Sequence, residues 1–297
     1  MPLGALSGLW AALLCAAALA LAGCDDAPDQ PEPSPALWQI AGAEGQRAYL
    51  FGTVHALPDG VRWRTPQIDH AFDAADMLVV EISLLDAEDS MRAAFQRLSA
   101  TSGQPPLAMR VSPEDRALVS RVMAEHGLKD ADFANMETWA AALVLSQLAE
   151  GVDSANGVDR ALLKAAGNMR VIELEGAERQ LGLFDALPEQ EQDDLLEGVA
   201  RELDEAGHEN ELDPRLEAWL TGDLAALEEA ARGGLLADPE LREALLVGRN
   251  RDWAERIDAL LSDGATPFIA VGAAHLLGPD GLVALLNSRG YSVERVR

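Results

Sequence analysis

Three observations in the 297-residue sequence predict an α/β fold whose mixed, mainly parallel central sheet is built from two related halves and flanked by many helices. Short apolar runs alternate with helical stretches, the pattern of strand, helix, strand units. Two of the runs end in one phrase, Gly52-Thr-Val-His55 and Gly272-Ala-Ala-His275, with Gly three residues before His at a strand exit. The chain also closes as it begins, in strand, helix, strand. Open α/β sheets keep their ligand crevices at the carboxyl ends of their strands, so two matched corners imply two halves facing one site.

In chain order, "ALWQIAGAEGQRAYLFGTVHAL" reads as two strands around a turn at Ala43 to Gln46. "TPQIDHAFDAAD" is a helix with Thr65 as N-cap and Pro66 at its first position, leading into the apolar strand "MLVVEIS". From Ser90 to about Glu150 the pattern is helical. There "SPED" predicts a start with Ser112 as cap, and "METWAAALVLSQLAEG" a buried helix. The second half repeats the logic, with "GVDRALLKAAGN" as helix, "MRVIELEG" as strand, and an acidic helical stretch punctuated by Pro188, Pro214 and Gly233-Gly234. A long helix capped by Asp238-Pro239 and stopped by Gly264 precedes the strand "TPFIAVGAAH", a helix at "GPDGLVALLNSRG" and the strand "YSVERVR".

Residues 1–23 form an apolar segment ending in Leu21-Ala22-Gly23-Cys24, which resembles a bacterial lipobox with Cys24 as the lipidated residue, although no Lys or Arg precedes it. Residues 24–36 read as a Pro-rich acidic tether and 37–297 as the α/β domain. The expectation is a bacterial cell-envelope protein, anchored to the membrane through its N-terminal lipid with its domain facing the periplasm. An uncleaved membrane anchor is the alternative, and it too places the domain outside the cytoplasm. Cys15 falls in the signal segment, so Cys24 is the one cysteine left, and neither a disulfide framework nor a thiolate metal site can form. About 260 residues suffice for a substantial core.

The net charge of −27 is concentrated: from Glu173 to Glu243 there are 22 acidic and 5 basic residues. Such a field repels nucleic acid, which is excluded as a partner. The plain reading of the run is a solvated helical face.

Of the five histidines, His55 and His275 follow strand-ending glycines, whereas His70, His126 and His208 read as surface residues. Their separation excludes the i, i+4 helix site of His-Glu-x-x-His peptidases. Glu81 ends a central apolar strand, where a carboxylate lines a polar cleft or is costly to ionise. Glu173 and Glu175 occupy the comparable strand, with Glu175 nearer its exit and a strand-end salt bridge as the plainer reading. Two imidazoles with one or two carboxylates suit a divalent ion such as Zn, Mn, Co or Fe, which yields hydroxide near neutral pH. Asn250 interrupts an apolar helical stripe of Leu246, Trp253, Ile257 and Leu260, so its amide either bonds a neighbouring loop or orients a ligand His. Arg249 beside it could pair with Glu81 or Glu175. Gly157-Val-Asp159, ahead of a helix, reads foremost as an N-cap. No Gly-x-Ser-x-Gly elbow, phosphate loop or Gly-x-Gly-x-x-Gly fingerprint occurs.

Taken together, "LWQIAGAEGQRAYLFGTVHAL", "DMLVVEIS", "ANGVDRALLKAAGNMRVIELEGAERQLGLF", "LLVGRNRDWAERI" and "FIAVGAAHLLGPDGLVALLNSRGYSVERV" resemble the TraB/GumN family, within the wider group of Tiki, ChaN and erythromycin esterase-like proteins. The resemblance covers essentially everything after the tether. One departure is Gly176, where the family pattern has Thr. The resemblance implies a cleft shared between two halves and, for the Tiki branch, metal-dependent peptidase activity. It makes His55, Glu81 and His275 the catalytic or metal-binding core, with Arg249 and Asn250 in support. The expected function is an extracytoplasmic metallohydrolase acting on a peptide or small-molecule substrate. The alternatives are a metal-independent esterase-like hydrolase and a lipoprotein that binds a peptide or haem without turnover.

Overall fold

The computed structural model describes residues 30–148, 153–206 and 213–296, apart from the side chains of 84–90 and 205–206. The predicted signal segment, Cys24 and His208 lie outside the described residues. Residues 30–36 are irregular and lie on the body of the domain, where Ser34 N–H donates to Leu220 O at 2.6 Å and Arg62 N–H to Gln30 Oε1 at 2.8 Å. Among the described residues no helix is long and apolar enough to cross a membrane.

A six-stranded sheet organises the chain, in the order β4-β3-β5-β2-β1-β6. β1 (Leu37–Ala41) and β2 (Arg47–Thr53) make the expected antiparallel hairpin, with Gly45 at φ 90° in its turn. Thr65 Oγ1 accepts from Ile68 N–H to start α1 (Pro66–Asp73), which crosses to β3 (Met77–Val80). β3 lies parallel to both β4 (Arg170–Glu173) and β5 (Pro267–Gly272), and β5 is parallel to β2. The edge strand β6 (Ser292–Arg295) returns antiparallel to β1.

Alternation along these strands sends side chains to two cores, as a sheet covered on both faces requires. Phe51, Leu78, Val80, Phe268 and Ala270 pack against α1 and α5 (Val158–Ala166). Leu50, Val79, Ile269 and Val271 face the opposite side, against α10 (Gly248–Ser262) and α11 (Leu282–Ser288). The helices after β3 and β4 form a third core of their own. They are α2 (Leu84–Leu98), α3 (Arg116–Glu125), the largely apolar α4 (Thr138–Ser146), α6 (Ala177–Asp185) and α7 (Glu189–Ala206). α8 (Pro214–Thr221) and α9 (Leu224–Ala230) complete the acidic stretch.

Two starts differ from expectation. α3 begins at Arg116 rather than at Ser112-Pro113, because Asp115 is drawn into an ion pair with Arg201 of α7, and Ser112 N–H donates to Glu197 Oε1 at 2.7 Å. The long helix predicted from Pro239 is interrupted by a π turn over Glu243–Val247, between a short α segment, Pro239–Arg242, and α10.

Gly52 shows why the corner phrase needs glycine. A Cβ there would lie 3.1 Å from the Ala273 backbone and 3.1 Å from Leu276 Cδ1, while Gly52 O accepts from Trp219 Nε1 at 2.9 Å. Neither neighbour is the free end of a flexible chain. Gly52→Ala is therefore expected to cost about 1–3 kcal/mol by overpacking, read as a lower urea midpoint at unchanged slope.

Candidate active site at the carboxyl edge of the sheet

Four neighbouring parallel strands deliver the polar residues. β4, β3, β5 and β2 end next to Glu175, Glu81, Gly272 and His55, so these residues follow the strand order along one edge of the sheet. β3 and β4 stay joined past their ends through Leu174 N–H to Val80 O at 2.8 Å and Glu175 N–H to Glu81 O at 3.1 Å. This sets the two carboxylates side by side. Glu173 instead caps α2, its Oε1 accepting from Ser83 N–H.

Gly272 is the point on which the group converges. A Cβ on it would stand 3.3 Å from Glu81 Oε1, 3.6 Å from His275 Cδ2 and 3.8 Å from His55 Nε2. Residues 55 and 275 therefore do meet through the fold. The backbone of Gly272 contributes as well, its N–H donating to Glu81 Oε1 at 2.7 Å.

Behind this point sits Arg249. Its guanidinium bonds Glu175 twice, at 2.9 and 3.0 Å, and Glu81 Oε2 at 2.8 Å, with the side chains 10%, 1% and 7% exposed respectively. It lies 4.6 Å over the Trp253 ring, and Trp253 Nε1 donates to Glu175 Oε1 at 3.1 Å. Glu175 thus spends both oxygens on Arg249 and Trp253 and stands behind the arginine, apart from His55. The π turn delivers Arg249 and Asn250 here, and the Leu245 carbonyl within it accepts from Arg249 Nη1 at 3.0 Å.

The histidines are held differently. His275 is buried, 4.4 Å from Trp253 centroid to centroid, with Nδ1 2.6 Å from Asn250 Oδ1 and Nε2 3.3 Å from Arg249 Nη1. Asn250 bonds a neighbouring loop as well as His275, its Nδ2 donating to the Asp280 carbonyl at 2.8 Å. The His55 side chain is 69% exposed, and its Nδ1 lies 2.8 Å from Asp159 Oδ2. Asp159 is thus no N-cap: α5 is preceded by Gly157 without a side-chain cap, and the carboxylate faces the corner. At the second helical position a short acid bonded to another segment carries the same sequence signal as a cap.

Burial pushes the His275 imidazole down to about 3, overriding the attraction of Glu81. The Asp159 hydrogen bond lifts His55 to about 9. Glu81 falls to about 2 despite its burial, because the surrounding imidazoles, Arg249 and the Gly272 N–H favour its charged form. For His275 the unfolded chain takes up a proton near pH 6.5 and the folded chain only near 3. Its contribution is thus complete above pH 6.5 and declines as the pH falls, at about 1.4 kcal/mol per pH unit. Urea titrations between pH 6.5 and 5 should show this slope as the difference between wild type and His275→Asn, because Asp193, raised to about 6, titrates in the same window with the opposite sign.

Donor types for a divalent ion are present around Gly272, which His55 approaches with Nε2, Glu81 with Oε1 and His275 with its Cδ2 edge. Both Nδ1 atoms are held by side-chain oxygens, the arrangement that turns Nε2 inward in metal-binding histidines. Among the described residues, the acids with three ligand atoms mutually within 4.8 Å are instead Glu191, Asp194 and Asp238, which include no imidazole. Asp238 there already caps a helix, and its Oδ1 accepts from Glu240 and Leu241 N–H at 2.9 Å. Crowding in this stretch also lifts Asp193 to about 6, through burial first and then Glu189, Asp194 and Glu197. The acidic run is therefore more than a solvated face. Next to Glu175 a cavity of ≈ 730 Å³ opens between α2 and α6, lined by Ala93, Ala94, Arg97, Gly176 and Arg179. Gly176 has φ 108°, a conformation that the Thr of the family pattern would adopt only under strain.

A family model described as TraB/PrgY/gumN matches residues 36–295. The chain is 26% identical over 260 residues to an uncharacterized protein, YbaP, of Shigella flexneri, covering 82% of this chain and 88% of that one. Its counterpart in Escherichia coli K12 is 26% identical over 80% of this chain and 87% of its own length. An uncharacterized protein of Treponema pallidum is 22% identical over 85% of this chain and 80% of that one. No solved structure matches the chain.

Proposed function

The chain belongs to the TraB/PrgY/gumN family, and from that premise and the geometry of the cleft we propose that it is a metal-dependent, peptidase-like hydrolase. The observation that carries this reading is the pair of imidazoles whose Nδ1 atoms are anchored by Asp159 and Asn250, beside the Glu81 carboxylate at Gly272. His55, His275 and Glu81 would hold the ion, which when bound supplies a water acidic enough to be hydroxide near neutral pH. Glu81 would either complete the shell or act as general base, and its low pKa keeps it ionised for either role. Arg249 holds Glu81 in place and balances its charge. The lipobox-like Leu21 to Cys24 supports placing this activity at the envelope, tethered by lipid and facing the periplasm.

One contact favours a second reading, metal-free ester hydrolysis. Arg249 Nη1 stands 3.3 Å from His275 Nε2, so a cation already occupies that nitrogen's approach, and exposed His55 would act on water alone, as a base once it loses the proton it holds up to about pH 9. Cleavage of a random peptide library separates the two, with Zn, Mn, Co or Fe added, wild type against His275→Ala, and with chelator. Products that require metal and His275 are expected. Turnover of an ester substrate that survives exhaustive chelation selects the esterase-like reading, and saturable binding of peptide or haem without product selects a binding protein.

A further inference from the structure

We propose that Asp159 is the positioning residue of this site, its carboxylate turning the exposed His55 ring so that Nε2 faces Gly272 and Glu81. The proposal rests on the reading of His55 as a working group of the cleft and deepens it.

Three consecutive residues grip the corner, each through a different group. Gly157 comes so close that a Cβ on it would stand 2.3 Å from the His55 carbonyl oxygen. Val158 N–H donates to Val54 O at 2.9 Å. Asp159 then takes the side chains: Thr53 Oγ1 donates to its Oδ1 at 2.7 Å, and His55 Nδ1 lies 2.8 Å from its Oδ2. Downstream, Leu57 and Asp153 exchange backbone hydrogen bonds at 3.2 and 2.9 Å, and Asn156 Nδ2 donates to Asp59 Oδ1 at 2.7 Å. Residues 153–159 therefore hold 53–59 at both ends. No such effort is needed to build a helix start.

The two imidazoles need this unequally. His275 is fixed by burial, Trp253, Asn250 and Arg249, whereas among the described residues the His55 ring is bonded by Asp159 alone. A carboxylate only accepts, so Nδ1 carries the proton and a neutral ring keeps its lone pair on Nε2. Thr53 occupies the second carboxylate oxygen and so fixes the plane of the acid. An amide in its place can donate to Nδ1 and move the proton to Nε2, where it blocks both a ligand and a base.

The test compares wild type, Asp159→Asn and Thr53→Val in three measurements: Zn²⁺ affinity by chelator competition, kcat and KM on cleaved peptides, and long-range ¹H–¹⁵N spectra of His55 above pH 9. For Asp159→Asn the expected result is an affinity about 10- to 100-fold weaker, with kcat falling more than KM rises and protonation of the neutral ring shifted toward Nε2. Thr53→Val, which removes only the hydroxyl that steadies the acid, should fall between the other two. An unchanged tautomer in Asp159→Asn, or affinity and kcat within twofold of wild type, would overturn the proposal. If wild type neither binds Zn²⁺ nor cleaves peptide, the proposed function fails while the spectra still decide the role of Asp159.

Discussion

Replacing Arg249 with methionine should lower the stability of the domain by about 3–5 kcal/mol at pH 7, the usual cost of removing one partner from a buried ionic group. The variant leaves Glu81 and Glu175 next to each other, 7% and 1% exposed, with no cation between them. Two adjacent buried carboxylates cannot both stay ionised cheaply, so one takes up a proton at a raised pKa. The loss should therefore shrink as the pH is lowered from 7 to 5, where that proton is easily supplied. Urea denaturation at the two pH values reads both effects. A loss below about 1 kcal/mol at pH 7 would mean that water reaches these groups and screens them as at a surface. Replacing Glu81, Glu175 and Arg249 together by apolar residues of matching volume should return much of the stability and none of the function.

Gly272→Ala is expected to abolish the proposed metal loading while leaving the fold intact. Gly272 has φ −49° and ψ 135°, which alanine adopts without strain. Its methyl carbon would stand 3.3 Å from Glu81 Oε1 and 3.8 Å from His55 Nε2, in the space where an ion bonded at about 2.0–2.2 Å to each would lie. The affinity loss should exceed the 10- to 100-fold typical of disturbing only the groups behind the ligands. Zn²⁺ affinity and thermal midpoint, measured on the same samples, give the answer. Weak binding with the midpoint kept is expected, and full affinity would place the ion elsewhere.

Much of this arrangement was legible in the sequence, for reasons specific to each element. The two corner phrases could be read because strand exits and glycine leave local signals, and Glu81 because a carboxylate after Leu-Val-Val must face something polar. Asn250 stood out against an apolar stripe, and Arg249 came with it. Other parts depend on contacts between distant segments. Nothing in Glu-Ala-Leu-Leu-Val announces a π turn, since all five residues suit an α-helix. Asp159 reads as a cap until Thr53 and His55 are brought to it. Glu173 and Glu175, two residues apart, separate only because the strand ends between them, one going to Ser83 and the other to Arg249.

The place of β5 in the sheet bears on how the protein is made. It lies between β3 and β2, yet its residues, 267–272, leave the ribosome after those of β1 to β4. Until they arrive, β4-β3 and β2-β1 are two ribbons with no common partner, each showing an edge with unpaired backbone groups. The cleft cannot assemble before β5 emerges, because Gly272 and His275 come with that same strand. A chain interrupted before residue 267 should therefore be inert and prone to join its exposed edges to other chains. The late central strand thus links completion of the sheet to completion of the site.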